Sequence, residues 1–470
     1  MSDKRAFRWA TTSTRRLVGT LVSAAAVVGV VTAVTLPWPT FAREPLSIAA
    51  VPAPAASVVA CDGGLLSVGR DVAAAASFAV AAPQDVTSGV TPGAPAPQQQ
   101  ALQSEGAGEG PAVYTAPPQG RTRVDVAAAG AAIVADEDLA GFAASACRPP
   151  LLESWLVGGS GETGAADLVL LSNPGAVPAT VQLTVFGAEG AQTPPGGTDV
   201  VVAAGAQRVV PLAGLVLGEA SPVVRVSAVG APVHASLQTS ITRTLTPGGV
   251  DQVSAIGQPE TSPTITGVAV TAAPGAEGAS DAATVLRLLS PSADATASIR
   301  VVPVGRADAA LEPEDVALVT GQPVEVALPG LAVGTYTVQI DADAPVVAAV
   351  WQTTGFGAGD DFAWYTPSPD VSVPSLFATT SGPPPVLSLV NTSEEPVSTV
   401  VSSADGSYIV ELTVPAGGST TARLSPRTVY SLDPGEGAVR AGVSLTGDGA
   451  LAGLPVWPAD AAAPEILVYP

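Results

Sequence analysis

Along most of this 470-residue chain the apolar residues come in runs of four to eight, cut off by Gly, Pro, Ser and Asn. Within many runs apolar and polar positions alternate, which predicts short β-strands joined by tight turns. In ATVQLTVFG (179–187), Val181, Leu183 and Val185 share one face while Gln182 and Thr184 share the other, because successive strand side chains point to opposite sides. TYTVQIDA (335–342) alternates in the same way, with Tyr336, Val338 and Ile340 together.

One stretch breaks the habit. Residues 17–36, LVGTLVSAAAVVGVVTAVTL, hold twenty positions without a charge, enough at ~1.5 Å per residue for a helix to cross a ~30 Å hydrocarbon layer. Lys4, Arg5, Arg8, Arg15 and Arg16 precede it, so the positive-inside rule predicts residues 1–16 in the cytoplasm and the remainder outside. A retained signal anchor fits this length better than a cleaved signal peptide, whose best cleavage site would end at Ala42; secretion after cleavage is the alternative. Residues 37–57 are Pro/Ala-rich and read as an extended tether.

From residue 151 the strand pattern recurs three times, over 151–262, 263–370 and 371–470. Each unit opens with an apolar strand (SWLVGG, GVAVTAA, SLFATT) and continues with a strand ending in a polar turn (LVLLSNPG, VLRLLSPS, VLSLVNTS). Alternating strands and a closing hairpin follow. About seven short strands per ~100 residues is the signal of an immunoglobulin- or fibronectin-like sandwich. The expected fold is therefore all-β, with three tandem sandwiches after a single N-terminal transmembrane helix. Tyr336 and Tyr430 follow turns that resemble tyrosine corners, in which the hydroxyl bonds back to the chain. Residues 58–150 read as N-terminal strands attached to the first sandwich, interrupted by a low-complexity, disordered loop at 83–119 (PGAPAPQQQ, EGAGEGP).

Charge narrows the partners. The chain carries 19 Lys+Arg against 41 Asp+Glu, a formal net charge of −22. Residues 1–42 hold five basic residues and one acid, so the rest is about −26 and is unsuited to nucleic acid. Lys4 is the only lysine, which removes Ser-Lys and Schiff-base chemistry from the extracytoplasmic part. The only cysteines, Cys61 and Cys147, both fall in the segment expected outside. A zinc site wants four ligands and no CxxC is present, so one disulfide is the expectation, stabilising by ~3–4 kcal/mol in the chain-entropy model.

Candidate chemistry is thin. The single histidine, His234, sits in a strand, where histidine is more often a surface or half-buried residue than a general base. Asp341/Asp343 and Asp360/Asp361 are the closest carboxylate pairs. A glycosidase would set two carboxylates across an aromatic-lined cleft, yet aromatics are only 4% of the chain. The same four aspartates are Ca²⁺ candidates at domain junctions, set against the commoner role of exposed acids in turns. Trp351, Phe356, Phe362, Trp364 and Tyr365 concentrate aromatic residues within fifteen positions. They read as packing between the second and third sandwiches or, alternatively, as an exposed partner- or sugar-stacking patch.

The stretch GFAASACRPPLLESWLVGGSGETGAADLVLLSNPGAVPATVQLTVFGAEG (141–190) resembles the core motif of an uncharacterised family of actinobacterial membrane-anchored or secreted envelope proteins. Asn173–Val181 matches that family's N-P-x-x-x-x-A-T-V turn and strand, and DDFAWYTPSP (360–369) is similar to its D-x-A-W boundary segment. The resemblance implies an envelope location and no assigned chemistry. It also associates the chain with envelope glycan-assembly enzymes as partners. The reading is thus a non-catalytic, membrane-anchored extracytoplasmic scaffold or accessory protein of the bacterial cell envelope, working through protein–protein contacts and calling for no cofactor. An envelope glycan-binding module is the alternative and a carboxylate-dependent glycan hydrolase the third.

Overall fold

The computed structural model describes residues 3–35, 48–50, 54–70, 77–105, 108–271, 283–459 and 466–468. They form two compact units, Met1–Pro52 with Ala463–Pro470, and Ala53–Ala462. In the first, Asp3–Thr35 is one α-helix. Its Ser13–Thr35 portion has a mean hydropathy of 2.3 and no buried side chain. The hydroxyls of Ser23, Thr32 and Thr35 donate to carbonyls four residues back, at 2.9, 2.6 and 2.7 Å. These bonds satisfy the helix's few polar side chains internally, as an apolar surrounding would require. Ile48–Ala50 pairs antiparallel with Ile466–Val468, so the last strand belongs to this unit and not to the third sandwich. The rest of the expected tether up to residue 53 lies outside the described residues.

The second unit is all β. Its sheets pair antiparallel, and one strand order occurs three times. In the middle copy, Thr264–Val270, Gly334–Ala342, Ala295–Pro303 and Glu314–Leu318 form one sheet; Val324–Ala327, Thr284–Leu289, Val347–Thr353 and Phe362–Tyr365 form the facing one. The first copy sets Glu153–Val157, Val223–Val229 and Ala179–Gly187 against Ala206–Pro211, Leu168–Asn173, His234–Arg243 and Thr246–Ser254. The third sets Ser375–Ala378, Val429–Asp433, Val397–Ser403 and Ile409–Val414 against Ser419–Arg423, Pro385–Val390, Val439–Gly447 and Ala450–Pro455. The alternation read from sequence is visible directly. Val181, Leu183 and Val185 are buried, Gln182 is exposed, and Tyr336, Val338 and Ile340 face their core. Tyr336 Oη donates to Ala332 O at 2.8 Å, and Tyr430 Oη accepts Ser425 N–H at 2.9 Å, locking both turns.

Residues 83–119 are not a disordered loop. They carry the strands Asp85–Val90, Gln98–Ala101 and Ala112–Ala116. Their Ala, Gly and Gln composition obscures a pairing that is set by neighbours: Asp85–Val90 runs beside Val126–Ala135, and Ala112–Ala116 beside Ser57–Ala60. The N-terminal strands also pack on more than the first sandwich. Ala127, Ala129, Ala131, Phe142 and Ala144 share a core with Phe377, Leu387, Tyr430 and Leu432 of the third. Small residues suit this layer because they let two sheet faces approach closely.

Candidate functional site

The first and second sandwiches meet along two edge strands, Thr246–Ser254 and Phe362–Tyr365. Carboxylates stitch these edges. Asp361 accepts Phe142 N–H at 2.8 Å through Oδ2 and Val250 N–H at 3.1 Å through Oδ1. Asp251 returns the bond, accepting Trp364 N–H at 2.7 Å and Gln252 N–H at 2.8 Å. Exposed edges invite unwanted pairing, and here each carboxylate caps one N–H of the other strand, Asp361 adding one from Ala140–Cys147 and Asp251 one from its own strand. Both carboxylates are deeply buried. Burial pushes Asp361 up to about 7 against the pull of its N–H donors. It pushes Asp251 well above the usual carboxylate range, with the neighbouring Asp361 charge adding to the effect.

Beside this seam a groove of about 510 Å³ opens between the two sandwiches, with Trp351, Phe362, Trp364, Asp167, Thr239 and Arg287 among its walls. The sequence marks the aromatic residues as a cluster, and the structure corrects where they sit. Trp351, Phe362, Trp364 and Tyr365 are each no more than 8% exposed, which rules out a protruding patch. Trp351, Phe362 and Trp364 share the core of the first sandwich, and only Tyr365 turns to the core that contains Leu451 of the third. Phe356, partly buried, lies 6.5 Å from the Trp351 ring and beneath the Arg243 guanidinium.

Sequence reasoning missed the groove's polar members. Arg287, 3% exposed, donates through Nη1 to Gly159 O and Pro222 O, both at 2.9 Å, and through Nε and Nη2 to Glu325. Its guanidinium lies 4.8 Å from the Trp364 ring centre, a cation–π contact. It thus ties the first sandwich to the second. Asp167 accepts Ser160 N–H at 2.6 Å and Ser240 N–H at 2.9 Å, and burial raises it to about 6. Gly159 has φ +73°, and a Cβ there would come within 2.6 Å of the Asp167 carboxylate, so the double glycine serves this close approach. Among the described residues Thr239 Oγ1, on a residue 1% exposed, meets no hydrogen-bond partner, and neither does Arg243 Nη1. A single buried Arg in a strand carries no pattern, so nothing in the sequence marks it.

A second polar cluster surrounds the disulfide. Cys61 and Cys147 are joined, with Ala60 and Arg148 paired beside them through two 2.9 Å backbone bonds. His234 is not a surface residue. It is 4% exposed, and its Nε2 lies 2.6 Å from Asp62 Oδ1. Burial would raise Asp62, but the His234 partner and two serine hydroxyls hold it below the ordinary value. Gln238 pairs with both backbone groups of Leu66 at 2.8 and 2.7 Å, Gln207 donates to Asp62 O at 3.0 Å, and Gln252 donates to Gly63 O at 2.8 Å. The outward face of Leu168–Asn173, His234–Arg243 and Thr246–Ser254 is therefore mixed: Leu168 and Leu170 pack on Leu66, while the polar side chains beside them meet backbone. The side-chain amides act as a substitute strand.

The four aspartates considered for Ca²⁺ do not assemble. Asp343 accepts Thr296 N–H at 2.8 Å and Asp360 accepts Gly357 N–H at 2.6 Å, while Asp361 points into the seam. Among the described residues no three His, Cys, Asp or Glu side chains are placed to hold a metal ion. Asp360 and Asp361, the candidate hydrolytic pair, instead serve separate backbone groups.

Residues 101–427 match the model of a family of unknown function, DUF5719, and the chain belongs to that family. No curated protein matches it. Among solved structures, it is similar to the FN1–FN3 domains of chicken CNTN1 at 13% identity, over 66% of this chain and 99% of that one. The TM-score is 0.10, and the fold description above rests on the strand order alone.

Proposed function

We propose that the protein is a non-catalytic, membrane-anchored extracytoplasmic scaffold or accessory component of the bacterial cell envelope. The observation that carries this reading is the use made of buried ionisable groups. Asp251, Asp361, Asp62, His234 and Arg287 all bind backbone or one another across strand layers, where a chemical site would leave them facing a substrate. They brace Ala53–Ala462 into one compact body, which suits an element that holds a partner at a fixed geometry. The helix at Ser13–Thr35 supports anchoring through its length and unburied apolar surface. A face for the partner is offered by Val201 and Val229, 61% and 74% exposed, which flank Thr180 on adjacent strands. A photo-crosslinker at Val229 in cells should capture one envelope protein, and one at exposed Ile409 should not. Equal labelling from both sites, or a cytoplasmic reporter signal from the C-terminus, would sink the reading.

The groove between the first two sandwiches favours glycan binding as a second reading. A lining of Trp351, Phe362 and Trp364 beside polar residues such as Glu162, Thr163 and Thr242 is the chemistry that stacks and bonds a sugar. Envelope polysaccharide should then quench Trp fluorescence in the wild type and fail to do so in Trp351→Leu; a flat response across envelope glycans would end it.

A further inference from the structure

Two arginines line the groove between the first two sandwiches, Arg287 and Arg243, and their surroundings differ. Arg287 is occupied by Glu325 and two backbone carbonyls. Arg243 ends the strand His234–Arg243 and pairs with Thr246 across a two-residue turn. Its guanidinium lies 5.1 Å from the Phe356 ring centre, a cation–π contact. Gly248 makes room for it, since a Cβ there would come within 2.6 Å of Nη1. Nη1 is buried by this packing. Nε and Nη2 are not: both keep accessible surface, and neither meets an acceptor among the described residues.

Nε and Nη2 form the side of a guanidinium whose two N–H bonds run parallel, the fork that matches a carboxylate. This chain uses that side repeatedly. Arg70 holds Asp138 through it at 3.0 and 2.7 Å, Arg287 holds Glu325 at 3.0 and 2.8 Å, and Arg440 holds Asp370 at 2.8 and 3.5 Å. On Arg243 the same side is accessible, on a half-buried residue that lines the groove. Water serves the exposed Arg306 and Arg423, and Arg300 donates to Gln339 Oε1 at 3.2 Å and Ala307 O at 2.6 Å. Arg243 has neither arrangement, so its fork suits an acceptor that a ligand brings. The groove's volume of about 510 Å³ is ample for a small ligand. One guanidinium balances one negative charge, and Glu162, exposed on the same groove, disfavours a second. The net charge of −22 repels an acidic ligand, but salt at ~0.15 M screens that field beyond about 8 Å. The fork decides at contact.

We propose that Arg243 grips a carboxylate of the groove's ligand through Nε and Nη2, which makes that ligand an acidic sugar; this rests on the glycan-binding reading. The full chain in detergent micelles is titrated with cellobiouronic acid and with cellobiose, the same disaccharide carrying a hydroxymethyl in place of the carboxyl. Tryptophan fluorescence at constant ionic strength is the readout, because Trp351 and Trp364 line the groove. The acid should bind tenfold or more tightly than cellobiose, the gain from hydrogen bonds to a charged group. Raising the salt should erode that advantage and leave cellobiose binding unchanged. Arg243→Gln should abolish the advantage, and Arg243→Lys, which keeps the charge without the fork, should restore only part of it. If neither variant folds, the two sugars compared on the wild type decide the matter. Equal affinity for both sugars would overturn the proposal and leave the glycan reading standing, as would an advantage that survives Arg243→Gln. No saturable response to either sugar would overturn it as well, and the glycan reading would then stand or fall on envelope polysaccharide.

Discussion

The seam between the first two sandwiches should make the protein lose stability as the solution is made alkaline. Asp361 is held protonated in the folded chain up to about 7, chiefly by burial, whereas its ordinary value is 3.8. A carboxyl whose folded value is raised binds its proton in the native state after the unfolded chain has released it. That contribution is therefore whole below the unfolded value, is lost as pH rises from there to the folded one, and is flat above it. Integrating that proton difference from pH 5 to pH 8 gives a loss of roughly 2–3 kcal/mol for Asp361 alone. Asp167, raised to about 6, adds roughly 1–2 kcal/mol of the same sign. At ~2.1 cal/mol/K per residue, the Asp361 contribution moves Tm by about 3 °C for a body this size. Asp361→Asn removes the titration but presents an amide N–H to one of the two backbone donors, so it should be less stable than wild type at pH 5, by roughly 1–3 kcal/mol. Between pH 5 and pH 8 the gap should narrow by roughly 2–3 kcal/mol. Thermal unfolding of both proteins across that range is the assay. A gap that stays constant, or a wild-type Tm that does not fall with pH, would refute the assignment of a protonated carboxyl to the seam.

Three further predictions concern the other braces. Reducing Cys61–Cys147, which closes an 86-residue separation, should cost at most about 4.6 kcal/mol in the chain-entropy model and be read as a lowered urea midpoint with dithiothreitol. Gln238→Ala leaves both backbone groups of Leu66 without their partners; it should cost roughly 2–4 kcal/mol and speed amide exchange at Leu66 while leaving exchange in the third sandwich unchanged. Arg287→Met strips donors from the Gly159 and Pro222 carbonyls, a loss of roughly 3 kcal/mol. Glu325 is 40% exposed, so water can take over its charge in Arg287→Met, whereas Glu325→Gln leaves the buried Arg287 cation without its counter-charge and should cost roughly 1–3 kcal/mol.

What the sequence discloses and what it hides follow from one distinction. The period-two alternation is a local signal, so Val181, Leu183, Val185 and Tyr336 are assignable to a buried face from the residue order alone. The Tyr336 and Tyr430 turns are legible for the same reason, since each hydroxyl returns to backbone only four or five residues away. The inter-layer braces are not local. Asp361 reaches Phe142 across 219 residues and His234 reaches Asp62 across 172, and nothing near either residue marks the contact. The strands at 85–116 are hidden by composition: Gln98–Ala101, reading QQQA, has no apolar face of its own and is held by pairing with Ala112–Ala116.

The same distinction accounts for how the aromatic cluster divides, with Tyr365 on the third sandwich and Trp351, Phe362 and Trp364 on the first. Its residues lie at the C-terminal edge of the second sandwich in sequence, which suggests a contact with the third. In space, the edge strand Phe362–Tyr365 pairs with Val347–Thr353 and turns its Trp364 face to the first sandwich. Asp251 and Arg287 fix that choice by holding the Trp364 backbone and ring. Polar residues far away in sequence thus fasten the second sandwich to the first. Replacing Trp364 with another large apolar residue should preserve the junction better than replacing Asp251 with alanine, because the latter leaves a buried N–H with no acceptor.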